Sequence, residues 1–120
     1  MYRQILKAKI HRATVTDSRV DYEGSVTLDE ELLRAANIAP WEKVLIANLD
    51  NGSRIESYAI PGDPGSGVVC MNGGATKHAR KGDLVIIMAF ATMTDEELDR
   101  HEPKVVYVDH KNRLLSPRPS

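Results

Sequence analysis

The sequence predicts a mainly β domain, either a barrel or a sandwich, with a few short helices. Short runs of β-forming residues recur along the chain between turn signals, a spacing that argues against a helical fold. In the first run, Leu6, Ala8 and Ile10 alternate with polar residues, the period of two expected of a half-buried strand. Asn51 and Gly52 separate two further runs. Asn-Gly is the strongest short hairpin signal because both turn positions need a positive φ.

Six strands are predicted in chain order. They cover residues 3–15, 43–49, 54–60, 68–71, 83–92 and 104–109. The Asn-Gly hairpin joins the second of these strands to the third, so this pair is expected to be antiparallel.

Two short helices are predicted between the strands. Thr27 and Glu30 match a capping box ahead of residues 31–36, and Pro40 prevents a longer helix. Residues 94–97 open the second helix, which ends before Pro103. The acidic side chains in this opening turn suit the positive end of a helix and are interpreted as a solvated helix start.

The size and charge of the chain limit its class. Its 120 residues suit one domain that needs no disulfide or structural metal to fold. The net charge of −1, from 16 basic and 17 acidic residues, creates no long-range field, so neither nucleic acid nor a membrane surface is an expected partner. The first seven residues are broken by charge too often for a signal peptide, and no apolar run is long enough to span a membrane. We therefore expect a cytoplasmic protein.

Several features that could indicate other chemistry are interpreted as structural. Cys70 lies alone in an apolar run and is expected in the core. The four histidines show no ligand spacing, so no metal site is predicted. Residues 62–67 are rich in glycine but lack the Gly-Lys-Ser/Thr ending of a phosphate-binding loop. No Gly-x-Ser-x-Gly elbow of a hydrolase occurs in the sequence.

The most informative segment is Tyr22-Glu23-Gly24-Ser25. Glycine tolerates unusual backbone conformations and leaves its carbonyl carbon open, so the hydroxyl of the next residue can reach it. A Gly-Ser pair by itself is most often an ordinary turn between a strand and a helix. The alternative is a peptide bond that the chain cleaves by attack of Ser25 on Gly24.

A set of segments, taken together, carries a specific resemblance. They are Lys9-Ile10-His11-Arg12, Tyr22-Glu23-Gly24-Ser25, Asn51-Gly52 followed by Arg54, Tyr58-Ala59-Ile60, Asn72-Gly73, residues 82–87 and residues 91–93. In this order and spacing the chain resembles pyruvoyl-dependent L-aspartate alpha-decarboxylases. The resemblance implies one double-psi β-barrel domain over residues 1–110. It also implies self-cleavage between Gly24 and Ser25 into fragments 1–24 and 25–120, and a homotetramer with active sites between subunits. Residues 111–120, which contain two prolines, are predicted to be a mobile tail.

The resemblance also implies the chemistry. Removing the α-carboxylate of an amino acid needs an electron sink, which no side chain provides. In the family, attack of Ser25 on Gly24, elimination and hydrolysis convert Ser25 into a covalent pyruvoyl group, without a metal or pyridoxal phosphate. An imine (Schiff base) of this ketone with L-aspartate loses CO2 and releases β-alanine for pantothenate and coenzyme A synthesis. The alternatives are a non-catalytic binding barrel that stays uncleaved and a barrel that needs a helper protein to mature.

Residue types indicate the supporting roles. Arg54 has a planar fork suited to a substrate carboxylate, and Tyr58 carries an O–H that can reprotonate the carbanion. Lys9 and His11 share a strand face and are expected to help hold the dicarboxylate. Ser57 is expected to donate to the Gly24 carbonyl during self-cleavage and to contact the substrate. A predicted nest of small residues, with backbone N–H groups for substrate oxygens, comprises Asn72, Gly73, Gly74 and Ala75.

A few details depart from the family pattern. The family commonly has threonine at position 57. Ser57 keeps the hydroxyl but rotates more freely about χ1, so slower maturation is expected. Gly74 and Lys77 stand where alanine and histidine are usual, which removes a histidine that could support the site. Strict alternation also puts Ser57 on the strand face opposite Arg54 and Tyr58, so we expect either a bulge or a site at a strand edge.

Overall fold

A computed structural model describes residues 1–115 of the chain. Its strands are β1 Tyr2–Thr14, β2 Asp17–Arg19, β3 Ser25–Asp29, β4 Lys43–Asn48, β5 Arg54–Gly62, β6 Val69–Asn72, β7 Leu84–Thr94 and β8 Lys104–Tyr107. Its helices are α1 Glu30–Ala36, a 3₁₀ helix Gly73–Lys77 and α2 Asp95–Asp99. The strands form one sheet in the order β2-β6-β3-β5-β4-β7-β1-β8.

Parallel and antiparallel pairs mix within this sheet. The pairs β1–β8, β2–β6 and β3–β5 are parallel, and the remaining neighbours are antiparallel. Parallel neighbours require long crossover connections, which bring segments distant in sequence side by side. The predicted mainly β class is confirmed, and the arrangement agrees with a double-psi β-barrel.

The core is built across the long central strands. Ile10 of β1 lies opposite Ile87 of β7, which in turn lies opposite Ile46 of β4, and all three side chains are buried. The alternation seen in the first strand therefore reflects burial of one face of the sheet. Cys70 is buried in β6, as predicted.

The predicted strands are all present, with ends shifted by at most two residues, but β2 and β3 were not predicted. Thr27 lies within β3, so the predicted capping box at Thr27 is wrong. The N-cap of α1 is Asp29, whose carboxylate accepts from Glu31 N at 2.8 Å. The segment is a strand because it lies between β5 and β6 and pairs with both, an effect of tertiary contacts that overrides the local signal.

The hairpin between β4 and β5 is confirmed, but its turn differs from the expected one. Gly52 has a φ of +77°, whereas Asn51 is not among the residues with positive φ, so the two-residue turn is not formed. The connection instead covers residues 49–53, and Gly52 N donates to Asn48 O at 2.9 Å. The side-chain oxygen of Asn48 also accepts from Asp50 N at 2.8 Å, which stabilises the longer loop.

Both α-helices are short. The predicted start of α2 is confirmed, since Thr94 Oγ1 accepts from Glu97 N at 3.1 Å and Glu97 Oε1 accepts from Thr94 N at 3.0 Å. None of the helices in residues 1–115 has the length and hydropathy that a membrane-spanning helix requires.

Residues 111–115 pack against the barrel. Asn112 is buried, and its Nδ2 donates to Thr14 O and Gly67 O, both at 2.8 Å. Val108 and Leu114 form an antiparallel bridge next to it. We therefore propose that the domain extends past residue 110 to at least residue 115. Residues 116–120 of the predicted tail lie outside the described residues.

Candidate active site

Ser25 is the first residue of β3 and is held by Asn72 of β6. The two residues face each other in the antiparallel register, and both side chains are buried. Asn72 Nδ2 donates to Ser25 Oγ and to Thr27 Oγ1, both at 2.9 Å. Ser25 Oγ in turn donates to Glu23 O at 3.3 Å. The serine predicted to be the nucleophile is thus fixed in one orientation by its own chain.

Asn72 is itself oriented by the thiol of Cys70. Cys70 Sγ lies 3.3 Å from Asn72 Oδ1. Burial raises the pKa of the Cys70 thiol, which keeps its proton available for donation. Because sulfur is a weak acceptor, this contact favours the amide orientation in which Oδ1 faces Cys70 and Nδ2 faces Ser25.

The backbone before Ser25 lies against the start of the 3₁₀ helix. Gly73 has a φ of +57°, and a Cβ atom added there would lie 2.6 Å from both Gly24 N and Tyr22 O. No side chain fits at such distances, so glycine is required at position 73. This close approach positions Gly24 beside the predicted nest of small residues.

A cavity of about 360 Å³ opens beside Gly24. It brings together five of the residues predicted for the site and adds others that were not predicted. The lining residues are Gly24, Ile55, Glu56, Ser57, Tyr58, Gly74, Ala75 and His78. Asn72 ends β6 and Gly73 begins the 3₁₀ helix, and both are buried next to the lining residue Gly74 in sequence.

The cavity runs along an edge of β5, which explains how consecutive residues can line it. Residues 54–58 pair with β4 in continuous register, without a bulge. Within residues 1–115, the parallel register with β3 begins at Ala59. Before Ala59, the edge of β5 opposite β4 is therefore not paired with β3. Both Ser57 and Tyr58 line the cavity beside Gly24 there. This geometry agrees with the strand-edge alternative.

Tyr58 and Glu56 are held by neighbours outside the cavity. The Tyr58 ring stacks on Trp41, with centroids 5.9 Å apart and planes 23° apart. Glu56 forms an ion pair with Lys43. These contacts hold two of the β5 side chains that line the cavity.

The predicted cationic residues do not line this cavity. Arg54 is exposed at the start of β5, and Lys9 is half-buried on β1. His11 lines a separate cavity of about 580 Å³ and makes an edge contact with Tyr107, with centroids 5.6 Å apart. Burial lowers the pKa of His11, and the positive charges of Lys9 and Arg12 lower it further. One chain by itself therefore does not assemble all the predicted substrate-binding residues.

His78 is the residue that sequence reasoning missed. The sequence showed the absence of a histidine at position 77, but the next residue supplies an imidazole to the cavity. Its Nδ1 lies 2.7 Å from Ser53 Oγ. The signal that could have identified His78 is its sequence position shortly after the predicted nest of small residues.

Two further features of the sequence concern metal ligands and the glycine-rich loop. Among residues 1–115, no group of three histidine, cysteine, aspartate or glutamate side chains could hold a metal ion. The glycine-rich loop at residues 62–67 binds a side chain of its own chain, because Gly65 N and Gly67 N donate to the Asp29 carboxylate at 3.0 and 2.8 Å.

Comparison with known proteins identifies a family. The family model for aspartate decarboxylase matches residues 1–115. An aspartate 1-decarboxylase from Listeria monocytogenes is 53% identical over 114 residues, 95% of this chain and 90% of the relative. Proteins of the same name from Ruminiclostridium cellulolyticum and Dehalococcoides mccartyi are 52% and 50% identical, each over 92% of this chain and over 86% and 89% of their own lengths.

The fold is that of a small β-barrel, and the matches identify the class of the protein as an enzyme, a decarboxylase (carboxy-lyase). The chain belongs to the aspartate decarboxylase family.

Proposed function

We propose that this chain decarboxylates L-aspartate to β-alanine and CO2 for pantothenate synthesis, with a pyruvoyl group made from its own Ser25. As a member of its family the chain is a carboxy-lyase that acts on aspartate. The observation that carries the proposal is the contact of 2.9 Å from Asn72 Nδ2 to Ser25 Oγ, beside a Gly24 that borders an open cavity.

The surroundings of Ser25 fit such a group. Ser25 is 6% exposed, so a reactive ketone at this position would be shielded from water. Asn72 supplies an N–H donor, which suits a carbonyl oxygen as well as a hydroxyl. When formed, the pyruvoyl group supplies the electron sink for the electrons of the leaving carboxylate.

Self-cleavage uses the Gly24–Ser25 peptide bond. Ser25 Oγ adds to the Gly24 carbonyl carbon, a C–O bond forms, and the C–N bond breaks as the hydroxyl proton passes to nitrogen. The resulting ester then loses the Ser25 α-proton and the Gly24 carboxylate together, which breaks the Cβ–Oγ bond and leaves dehydroalanine. One water molecule replaces the amine and ammonia leaves. The products are fragment 1–24 and fragment 25–120 with a ketone at its start.

Residues around the bond assist these steps. Asn72 N–H stabilises the negative charge that develops on Ser25 Oγ as its proton leaves. We assign the Ser57 hydroxyl the task of donating to the Gly24 carbonyl oxygen, since both residues line the cavity. Tyr58, fixed by Trp41, is assigned as the proton donor to the substrate α-carbon.

Substrate binding is proposed to involve a second copy of the chain. Lys9, His11 and Arg54 do not line the cavity beside Gly24. A homotetramer with active sites between subunits would bring these groups of one protomer to the cavity of another. The small residues Gly74 and Ala75 would then leave room and offer backbone N–H groups for substrate oxygens.

The direct test is the conversion of L-aspartate by the purified protein. We expect β-alanine and CO2 in equal amounts, and loss of activity on treatment with phenylhydrazine, which reacts with ketones. Ser25→Ala removes the nucleophile and should abolish activity. Ser66→Ala changes an exposed loop serine and should leave activity intact.

The outcomes separate the alternatives. Turnover by Ser25→Ala would contradict the proposal. An uncleaved and inactive wild-type protein would indicate a binding barrel. Cleavage that begins only after addition of a cell extract would indicate a helper protein for maturation.

A further inference from the structure

Trp41 has a backbone conformation that bulky residues rarely adopt. Its φ is +72°, in the left-handed region, where a large side chain is an outlier. The residue lies in the tight turn 39–42, in which Glu42 N donates to Ala39 O at 3.1 Å. Pro40 is the second residue of this turn and the positive φ is at the third, the pattern of a type II turn. Glycine or asparagine normally occupies that third position.

Contacts with β5 and β1 hold the turn in this conformation. Trp41 N donates to Ala59 O at 2.8 Å, and Ala59 N donates to Glu42 O at 3.0 Å. The Glu42 carboxylate accepts from Ala39 N at 3.0 Å and from Lys7 Nζ at 2.8 Å. The surrounding structure therefore enforces the positive φ, and an outlier enforced in this way is a reason to look for a function.

The indole of Trp41 gains little from burial in the single chain. Trp41 is 71% exposed, so the apolar surface that it removes from water is small. Its ring instead stacks on Tyr58, which immediately precedes Ala59, the residue that pairs with the turn. The stack is therefore the interaction that distinguishes tryptophan from a glycine or an asparagine in the same turn.

We propose that Trp41 is a positioning residue for Tyr58, and that the turn adopts a strained backbone because the indole then holds the phenol ring at the cavity beside Gly24. This inference rests on the proposed function, in which Tyr58 donates a proton to the substrate α-carbon. Tyr58 is half-buried and lines this cavity, whereas within residues 1–115 the lining does not include Trp41. Trp41 thus acts through Tyr58, since a proton donor held in the reactive geometry transfers its proton faster.

Fluorescence of the uncleaved protein tests the stack without any turnover. Trp41 is the single tryptophan of the chain, so the emission reports on this residue alone. In a Ser25→Ala background, Tyr58→Leu should free the indole and lower its fluorescence anisotropy. Tyr2→Leu is the matched control, because Tyr2 is a tyrosine with the same 71% exposure as Trp41, and it should leave the anisotropy unchanged. Equal anisotropy in the two variants would overturn the proposal.

Substitutions of Trp41 separate positioning from stability in the mature enzyme. Trp41→Asn and Trp41→Ala both remove the indole, and each should lower kcat about tenfold, with the KM for L-aspartate changed less than about twofold. Asparagine tolerates a positive φ better than alanine, so Trp41→Asn should melt about 2–5 °C above Trp41→Ala. Trp41→Phe keeps a ring for stacking and should retain most of the wild-type kcat, as should Tyr2→Leu.

Solvent isotope effects identify the step that Trp41 assists. A displaced proton donor slows proton transfer, so D2O should lower kcat more in Trp41→Asn and Trp41→Ala than in the wild type. A kcat that follows the melting temperature across the variants, or an unchanged kcat in Trp41→Asn, would overturn the proposal. A wild-type protein without decarboxylase activity would count against the proposed function, and the anisotropy would still show whether Trp41 holds Tyr58.

Discussion

Two regions of the molecule differ in whether the residues of one chain form the predicted site. They are the surroundings of Ser25 and the face of β1 that carries Lys9 and His11. Around Ser25, Cys70 and Asn72 form a buried chain of hydrogen bonds that ends on the nucleophile. Lys9 and His11 instead lie away from the cavity beside Gly24. From this difference we propose that one chain carries the residues for self-cleavage, and that a second copy contributes residues for substrate binding.

The largest expected effect is on the first region. Asn72→Ala removes the donor to Ser25 Oγ and should slow self-cleavage about 100- to 1,000-fold, the effect of removing one donor to a developing oxyanion. Asn112→Ala is the matched control, since Asn112 is a buried asparagine with bonds to Thr14 and Gly67. Intact-mass time courses give the rates. Equal rates of self-cleavage in the two variants would show that Asn72 does not assist the reaction.

A second prediction distinguishes residues needed for self-cleavage from residues needed for substrate binding. Lys9→Ala should self-cleave at the wild-type rate but lose about 10- to 100-fold in kcat/KM, because a charged contact to the substrate is lost. Lys7→Ala, on the same strand, removes a lysine that pairs with Glu42 at 2.8 Å and should keep its activity. Mixed assemblies of Lys9→Ala and Ser25→Ala should regain some activity if the site is shared. No recovery in co-expressed variants would contradict a shared site.

A third prediction concerns the thiol behind Asn72. Cys70→Val keeps the approximate volume but removes the S–H donor, so the Asn72 amide loses the contact that orients it. Self-cleavage should slow about tenfold, equivalent to one hydrogen bond of ~1.4 kcal/mol. Cys70→Ser keeps a donor and should stay close to the wild-type rate. Faster self-cleavage by Cys70→Val than by Cys70→Ser, measured by intact mass, would exclude an orienting role for Cys70.

A smaller effect is expected from restoring threonine at position 57. Ser57→Thr restricts χ1 and should preorganise the hydroxyl toward Gly24, which would speed self-cleavage about two- to threefold. The mature forms of both proteins should have similar KM values for L-aspartate. The cleavage half-time of freshly made protein is the measurement, and an unchanged half-time would mean that the serine is already well placed.

The smallest effect concerns the support of His78. Asp83 accepts from Arg80 N at 2.9 Å and from Asn48 Nδ2 at 2.8 Å, and these bonds lower its pKa, with the Arg80 contact the larger cause. A carboxylate with a lowered folded-state pKa stabilises the fold above its unfolded pKa of about 3.9 and loses this effect as the pH falls through the folded value.

Asp83→Asn should therefore lower the melting temperature by about 1–4 °C at pH 7, a modest shift because the carboxylate is only half-buried. The difference from wild type should narrow as the pH falls below about 3.9. Thermal unfolding at several pH values measures this. A constant difference across the pH range would show that the charge of Asp83 is not the stabilising feature.

Most of the barrel was predictable because its long strands carry local signals. The alternation around Ile10 and the loop at Asn51–Gly52 indicated strands and their connection from neighbouring residues alone. β3 was not predictable in the same way. Thr27 and Glu30 resemble a helix start, and pairing with residues of β5 and β6 that are 33 or more positions away makes the segment a strand.

The residues of the candidate site also differ in whether local sequence could predict them. Gly24 and Ser25 were identified from their own sequence and from the resemblance, and the cavity lies beside Gly24. His78 could not be recognised, because its position depends on Ser53, Asn48 and Asn51, which only the fold brings near. The contributions of Lys9 and Arg54 remain predictions, since one chain does not carry them to the cavity.

The most direct test of the account is a mass time course of freshly made, uncleaved protein at two concentrations. We predict two fragments divided after Gly24, the larger one lighter by one ammonia than residues 25–120, at a rate independent of protein concentration. A full-length mass that does not change on warming, or a rate that rises with concentration, would contradict the claim that one chain carries the complete machinery for converting Ser25.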